Sequence, residues 1–374
     1  MIESIEIKNF KNLSDFKLKS LGQINLISGK NNTGKTSLLE ALGLILHDGD
    51  LNFIIKILEL RGEKFKNFRG SSIEHFTKVF GSLFFNRNIN FENENSGIKI
   101  QCSTSEFSQE TTKNGLKREE KIELNFVNYI DIYKGGIPTK RKLTNEEIKD
   151  KNISGKKGID VRFNSRQQII PIDFDSYDPM KFNQISQLSD KIQYISSKTI
   201  VEENNSNLWD VIALSEKEND VINALKIIDP NIERLNFISE IINERSAEVL
   251  INGEKIPLRN MGDGINRILT FILAMVNAEN GYLLIDEFEN GLHYTTQEKL
   301  WEIIFYLAEK LNIQVFATTH SRDCIEGFEN VLNKTENKLT GKMIRLSNRK
   351  GKISPVEFDK DELKIATEQD IEIR

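Results

Sequence analysis

Gly29-Lys30-Asn31-Asn32-Thr33-Gly34-Lys35-Thr36 fits G-x-x-x-x-G-K-[ST], and its surroundings decide how the rest of the chain is read. Before it runs Ile24-Asn25-Leu26-Ile27, a short apolar strand. After it runs Ser37-Leu38-Leu39-Glu40-Ala41-Leu42, a helix start with good formers. Strand, glycine loop and helix is the order a phosphate-binding loop needs. Backbone N–H groups across Gly29, Asn31, Asn32, Thr33, Gly34 and Ser37 cradle phosphate oxygens, and the helix N-terminus adds partial positive charge. Lys35 can reach the β and γ phosphates, and Thr36 can place its hydroxyl on Mg²⁺. A chance Gly/Lys turn would lack the flanking strand and helix. The stretch therefore predicts a nucleoside triphosphate site.

A second part of such a site lies late in the chain. Tyr282-Leu283-Leu284-Ile285-Asp286-Glu287 is an apolar run ending in two carboxylates. A carboxylate at the C-terminal end of a strand can hold Mg²⁺, directly or through water, beside a phosphate loop. Asp286 is expected there, sharing the ion with Thr36. Glu287, one residue on, can orient or deprotonate an attacking water. Alone this run is a weak signal, because many strands end that way; paired with the loop at residue 29 it becomes specific. Gln314-Val315-Phe316-Ala317-Thr318-Thr319 reads as another strand, followed by His320. Strand, Asp-Glu, a helix from about Thr295 to Leu311, then strand and His make one βαβ unit. Parallel strand ends open at one edge, which places His320 within reach of a γ-phosphate. Between these parts, Met261-Gly262-Asp263-Gly264 precedes an apolar helix, Ile268 to Ala278. On its own this is a turn and a helix start; two glycines there can also make a second anion-binding N-terminus.

Composition narrows the class. The chain has 374 residues, with 38% hydrophobic, 29% charged and a net charge of −5. That length allows two domains, or one with a large insertion. The acidic balance gives no global basic footprint for nucleic acid. Two local clusters, Lys64/Lys66/Arg69 and Lys134/Lys140/Arg141/Lys142, read as solvated loops. Cys102 and Cys324 are far apart without metal-ligand spacing, as in a reduced compartment. The opening Met1-Ile2-Glu3-Ser4-Ile5-Glu6 is charged and alternating, unlike a signal peptide. The most apolar run, Ile268 to Val276, is too short to span a bilayer. A soluble cytoplasmic protein is expected, with no membrane partner.

Three regions are expected. Residues 1–48 read as strand, strand, loop and helix, the helix running to about His47. Residues 49–190 read as a mixed α/β insertion with mobile loops. It holds a helix over Leu51 to Leu60, strands at Ile98–Cys102 and Lys121–Phe126, and polar stretches over Ser103–Glu120 and Thr144–Gly158. Residues 191–374 return to a core pattern. Lys191–Ile195 reads as a strand, Leu208–Leu214 and Asp220–Ile228 as helices. Asn252-Gly253 reads as a hairpin turn between Glu248–Ile251 and Glu254–Ile256.

Taken together, these pieces resemble the ATP-binding-cassette class of P-loop ATPases: Walker A, large insertion, glycine-containing signature, Walker B with Glu, then a switch His. Within that class the chain resembles the heads of RecF and of structural-maintenance-of-chromosomes proteins, and above all the OLD family. Ile5-Glu6-Ile7-Lys8-Asn9-Phe10-Lys11-Asn12-Leu13 and Asp286-Glu287-Phe288-Glu289-Asn290-Gly291-Leu292-His293 carry that likeness. It also resembles short bacterial AAA-family ATPases with a Met-Gly-Asp-Gly signature. The resemblance covers about residues 1–45 and 190–325. It implies an α/β head with an N-terminal antiparallel β-subdomain, a central mostly parallel sheet flanked by helices, and the insertion. It also implies ATP and Mg²⁺, and a homodimer that sandwiches ATP. Lys35 and Thr36 of one subunit would then face Gly262, Asp263 and Gly264 of the other. Asp286 would hold the metal shell, Glu287 would polarise water, and His320 would touch the γ-phosphate.

Departures matter too. The usual signature Ser is Gly262 here and the usual Gln/Glu is Ile265, so a hydroxyl contact to phosphate is lost. Gln193 and Ser196 are both candidates for the glutamine loop. The stretch after His320 is too short for the Toprim nuclease of full-length OLD proteins, so a nuclease effector is expected on a separate chain. The likeness suggests a role in bacterial defence or nucleic-acid surveillance. A RecF-like repair clamp and an ATP-dependent scaffold with little turnover are the alternatives.

Overall fold

The computed structural model describes residues 1–63, 73–91, 96–106, 117–150, 152–172, 191–197, 201–241, 244–262, 264–335 and 339–369. The Lys64/Lys66/Arg69 cluster and Asp263 lie outside them.

The chain opens with β1 (Ile2–Phe10) and β2 (Leu13–Leu18), an antiparallel pair joined by a tight turn. On β1, Ile5 and Ile7 are buried and alternate with outward residues as period two dictates, while Ile2, beside a register shift at Ile2/Ser4, and Phe10, after left-handed Asn9, are buried out of that phase. Next come β3 (Ile24–Ser28), α1 (Lys35–Leu46), α2 (Leu51–Leu60) and α3 (Ile73–Gly81). Asp50 caps α2 by accepting from the Asn52 and Phe53 N–H groups.

Then follow β4 (Ile98–Thr104), β5 (Arg118–Lys134), β6 (Ile137–Lys142), α4 (Asn145–Lys149), β7 (Lys156–Phe163) and β8 (Arg166–Pro171). These strands extend β1 and β2 into one antiparallel sheet, in the order β2-β1-β4-β5-β7-β8, with β6 paired to the far end of β5. The sheet thus runs across the expected boundary at residue 48. The polar stretch Thr144–Gly158 holds more structure than its composition suggests, while residues 107–116 of the other lie outside the described residues. Thr144 and Glu147 form a reciprocal capping box that starts α4. Arg141, expected in a solvated loop, sits on β6 and donates through both Nη atoms to Glu147, at 2.9 and 2.7 Å.

The remaining chain builds a second layer from β9 (Ile192–Ile195), α5 (Val201–Ile212), α6 (Lys217–Leu225), β10 (Ile232–Ile241), β11 (Glu244–Ile251), β12 (Glu254–Pro257), α7 (Ile265–Asn277), β13 (Tyr282–Ile285), α8 (Tyr294–Lys310), β14 (Gln314–Thr319), α9 (Arg322–Lys334), β15 (Gly341–Arg349), β16 (Lys352–Phe358) and α10 (Lys360–Glu368). Its main sheet runs β16-β15-β3-β14-β13-β9, parallel except for β16 at the edge. Strands in such a sheet are covered on both faces, so β3 and β14 are buried along their whole length. Helix α7 is apolar nearly all round and accordingly almost wholly buried. Phe271 on α7, Phe288 after β13 and Trp301 on α8 stack in sequence, with centroids 5.8 and 4.2 Å apart.

One buried amide joins the two sheets. Gln314 on β14 accepts the Ile2 N–H through Oε1 at 2.7 Å. Its Nε2 donates to Ile2 O at 2.7 Å and to Gly22 O at 2.8 Å. Among the described residues no helix is long and apolar enough to cross a membrane. Cys102 and Cys324 are both free and buried.

His47 closes α1 beneath the Phe53 ring, centroids 4.3 Å apart, and is 7% exposed. Burial lowers its pKa from 6.5 to about 4; Lys56 adds to the effect and Asp50 opposes it. Between these values the unfolded chain binds a proton that the folded chain refuses. Stability is therefore retained above pH 6.5 and lost as pH falls toward 4, by on the order of 3 kcal/mol. In His47→Gln this component is expected to vanish. Urea unfolding of both proteins at the two pH values checks it; equal acid losses would overturn it.

Candidate active site

The phosphate-loop sequence lies between β3 and α1, and its backbone requires its glycines. Gly29 has φ 148°, and a Cβ there would lie 2.6 Å from both the Leu346 carbonyl oxygen and Thr33 Oγ1. Gly34 caps α1 in the left-handed region at φ 93°, where a Cβ would meet Ile353 Cδ1 at 2.9 Å. Lys35 folds back on the loop, donating from Nζ to Gly29 O at 2.5 Å and Lys30 O at 3.0 Å. Burial lowers its pKa, while Glu289, Asp286 and Glu287 pull it upward.

The parallel register of β3, β14 and β13 brings their C-terminal ends to this loop. Asp286 Oδ1 accepts from Thr36 Oγ1 at 3.1 Å and from Thr318 Oγ1 at 2.8 Å. Asp286 is 7% exposed, and burial raises its pKa against the opposing effect of the two hydroxyls. Glu287 is half-buried and takes φ 55°, a left-handed backbone that a glutamate rarely adopts. Its N–H donates to Thr318 Oγ1 at 2.9 Å, which helps hold that conformation. His320 lies at the end of β14, with its ring exposed.

One cavity of about 860 Å³ is lined by Asn31, Asn32, Thr33, Gly34, Lys35, Thr36, Ser37, Asp286, Glu287 and His320. Gly29 is not among its lining residues. Gly262 and Gly264 are not among its lining residues, nor are Gln193 and Ser196. Gly262 is exposed at φ 117° with nothing within 4 Å of a Cβ. Gly264 caps α7 at φ 92°, with Gly291 O 3.0 Å from its Cβ position. The residues expected at the site thus fall into two groups: one lines the cavity, and Gly262 and Gly264 do not.

Several residues of the site were not singled out from sequence. Lys11 Nζ donates to Glu40 Oε2 at 2.6 Å, and Arg61 donates to both Glu40 oxygens at 2.8 Å. Lys11 and Arg61 line the cavity and add to its positive charge. Burial lowers the Lys11 pKa to about 8, with Glu40 resisting. Arg267, in the first turn of α7, is buried with no hydrogen-bond partner for Nε or Nη2; its guanidinium lies 5.2 Å from the Phe271 centroid.

Glu289, quoted above only as part of a motif, holds His320. Its Oε1 lies 2.7 Å from His320 Nδ1 and accepts the His320 backbone N–H at 2.8 Å. Its Oε2 accepts from Thr319 Oγ1 at 2.8 Å. A carboxylate at Nδ1 orients the ring and leaves Nε2 as the ring nitrogen turned toward a ligand. Glu289→Ala is expected to lower kcat by about 10-fold while moving the ATP KM little, because ring orientation is lost but the phosphate cradle is not. Steady-state kinetics separate the two; a KM effect alone would remove Glu289 from this role.

The AAA ATPase domain family matches residues 1–325. The chain is 26% identical over 353 residues, 90% of each protein, to an ATP/GTP phosphatase from Helicobacter pylori. It is 32% identical over 106 residues to the DNA replication and repair protein RecF from Teredinibacter turnerae, 28% of this chain and 25% of that one. A solved Smc head, bound to the C-terminal winged-helix domain of ScpA, superposes with a TM-score of 0.52. It does so over 98% of this chain and 99% of that one at 14% identity, so the two share a fold. A phosphate loop on a parallel sheet, in a chain matched by this family over most of its length, leaves one assignment: the protein belongs to the AAA ATPase domain family and is an ABC-type P-loop ATPase.

Proposed function

We propose that this ATPase is an ATP-gated switch in which two copies close head-to-tail, each completing the other's site. The separation of the site residues into two groups carries this reading. Lys35, Asp286, Glu287 and His320 line one cavity, while exposed Gly262 and half-buried Gly264 are not among its lining residues. A glycine turn at the start of a 13-residue helix is a suitable donor to phosphate from a second copy.

In the proposed closed state Lys35 neutralises the β and γ phosphates, and the cradle N–H groups hold their oxygens. Mg²⁺ would be held by Thr36 and Asp286 and would offset charge on the phosphate oxygens. The donor set fits that ion: a hydroxyl and a buried carboxylate converge at 3.1 Å. Among the described residues no group of three or more His, Cys, Asp or Glu could bind a metal by itself, and Mg²⁺ normally completes its shell with phosphate and water. Glu287 takes a proton from the attacking water, and His320 contacts the γ-phosphate. Gly262 brings no hydroxyl to that contact, so turnover is slow for the class.

Mixing two inactive variants tests the composite site. Lys35→Ala removes one half and Gly262→Glu the other, so each alone should be silent. Together they should regain hydrolysis, because one of the two sites in a mixed dimer is whole. A mixture that stays silent, with both variants folded, sinks the dimer. We further infer that the switch serves bacterial defence or nucleic-acid surveillance through a separate effector chain, such as a Toprim-like nuclease. The stretch shared with RecF supports the nucleic-acid side. Duplex DNA binding at two salt concentrations, with and without ATP, tests that reading.

A further inference from the structure

We propose that Arg267 is a positioning residue for Glu287. Its guanidinium draws and holds the Glu287 carboxylate, so that the glycine turn at the start of α7 sets where that carboxylate stands. This rests on reading Glu287 as the residue that acts on water.

Arg267 is a buried cation short of partners. It sits in the first turn of α7 and is 6% exposed. Its Nε and Nη2 are buried with no hydrogen-bond partner. Buried charges are ordinarily paired, because an unpaired one gives up its hydration for nothing. The surroundings indicate which anion answers it. The guanidinium lies 5.2 Å from the Phe271 centroid, and Phe271 stacks on Phe288 at 5.8 Å. Phe288 follows Glu287 directly, so a packed line runs from the guanidinium to the backbone of the glutamate. Burial lowers the Arg267 pKa and Glu287 pulls it upward, so the carboxylate stands within electrostatic reach. A nucleotide phosphate answers the guanidinium less well. Arg267 is not among the residues that line the cavity, and its burial sets it apart from the exposed Gly262.

The turn and the glutamate are also joined through the chain between them. Gly264 caps α7 at φ 92°, and its Cβ position lies 3.0 Å from Gly291 O and 3.3 Å from Leu292 Cδ2. The start of α7 therefore rests on the loop that follows Glu287. Asn205 on α5 donates from Nδ2 to Asn266 O at 3.0 Å and braces the same turn. Glu287 holds a left-handed backbone at φ 55°, a conformation that yields readily when a new contact is supplied. In the two-copy reading, the turn that meets one ATP and the glutamate that acts on the other are then linked through one side chain in each subunit.

Arg267→Met keeps the reach of the side chain and removes its charge. Single-turnover hydrolysis should fall on the order of 10- to 100-fold, with equilibrium ATP affinity unchanged. The variant should melt no lower than wild type, because a stranded cation has gone. Arg267→Lys keeps the charge and should turn over faster than the methionine variant. In a Glu287→Gln background Arg267→Met should bring no further loss, since it acts through the carboxylate. The proposal is overturned by a methionine variant that turns over at the wild-type rate, loses ATP affinity, melts well below wild type, or slows equally in both backgrounds. A lysine variant no faster than methionine also overturns it. If Glu287→Gln itself turns over near the wild-type rate, the reading of Glu287 falls first and takes the proposal with it.

Discussion

Glu287→Gln is expected to lower ATP turnover by on the order of 100- to 1,000-fold with ATP binding intact. Glutamine keeps the shape of the side chain and removes the oxygen that can take a proton. The cradle, the Thr36–Asp286 contact and the Glu289–His320 pair do not depend on that charge. Single-turnover hydrolysis beside equilibrium ATP binding reads both quantities; a variant that turns over near the wild-type rate would remove Glu287 from the chemistry. The backbone supplies a second readout. Because Glu287 is left-handed, Glu287→Gly relieves a conformation worth about 1 kcal/mol. That variant should melt no lower than wild type and still be inactive. Stability and activity moving apart at one position is what strain held for function produces; a melting point well below wild type would show that the side chain serves the fold instead.

The largest stability effect is expected at Glu40. It is 3% exposed and neutralises Lys11, 6% exposed, and Arg61, which is 42% exposed. Glu40→Ala leaves a buried ammonium unpaired, a loss on the order of 3–5 kcal/mol. Its pH dependence follows from Lys11. Folded Lys11 releases its proton near pH 8 and the unfolded lysine near 10.5, so over that interval the unfolded chain binds more protons and stability rises with pH. Removing Glu40 takes away the charge that resists the shift, so folded Lys11 gives up its proton at a still lower pH; the deficit should be greatest well below pH 8 and level off above it, where Lys11 is neutral in both folded proteins. The double variant Lys11→Met/Glu40→Leu, with no stranded ammonium, should recover most of the loss. Denaturant unfolding from well below to above pH 8 checks all three; an Ala deficit that ignores pH would mean the cost is packing, not charge.

The sequence was most legible along the buried parallel strands. Such strands read as continuous apolar runs, and their last residues must present the chemistry, so Lys35, Asp286, Glu287 and His320 could be located from neighbours alone. The antiparallel sheet was less legible. β5 continues from the expected Lys121–Phe126 as far as Lys134, because β6 pairs with its far end, a partner no local pattern reveals. Helix α5 begins at Val201, seven residues before the expected Leu208, in the polar run Val201–Asn207 that lacks helical apolar spacing. Helix α6 ends at Leu225, three residues before Ile228. Glu289 and the Lys11–Glu40–Arg61 cluster depend on segments distant in sequence coming together. Their residue types are ordinary, and only the fold gives them partners.

The Gln314 amide carries a mechanical consequence. It spans β1, β14 and the segment leading into β3, so the layer that carries Lys11 and the layer that carries Lys35 are clamped at one point. Sliding one past the other would strand three buried polar partners, at roughly 1–3 kcal/mol each. The head is therefore a stiff jaw without an internal hinge at that seam. Displacement driven by ATP should leave the two layers in register and emerge at the head's outer faces, as travel of the whole body.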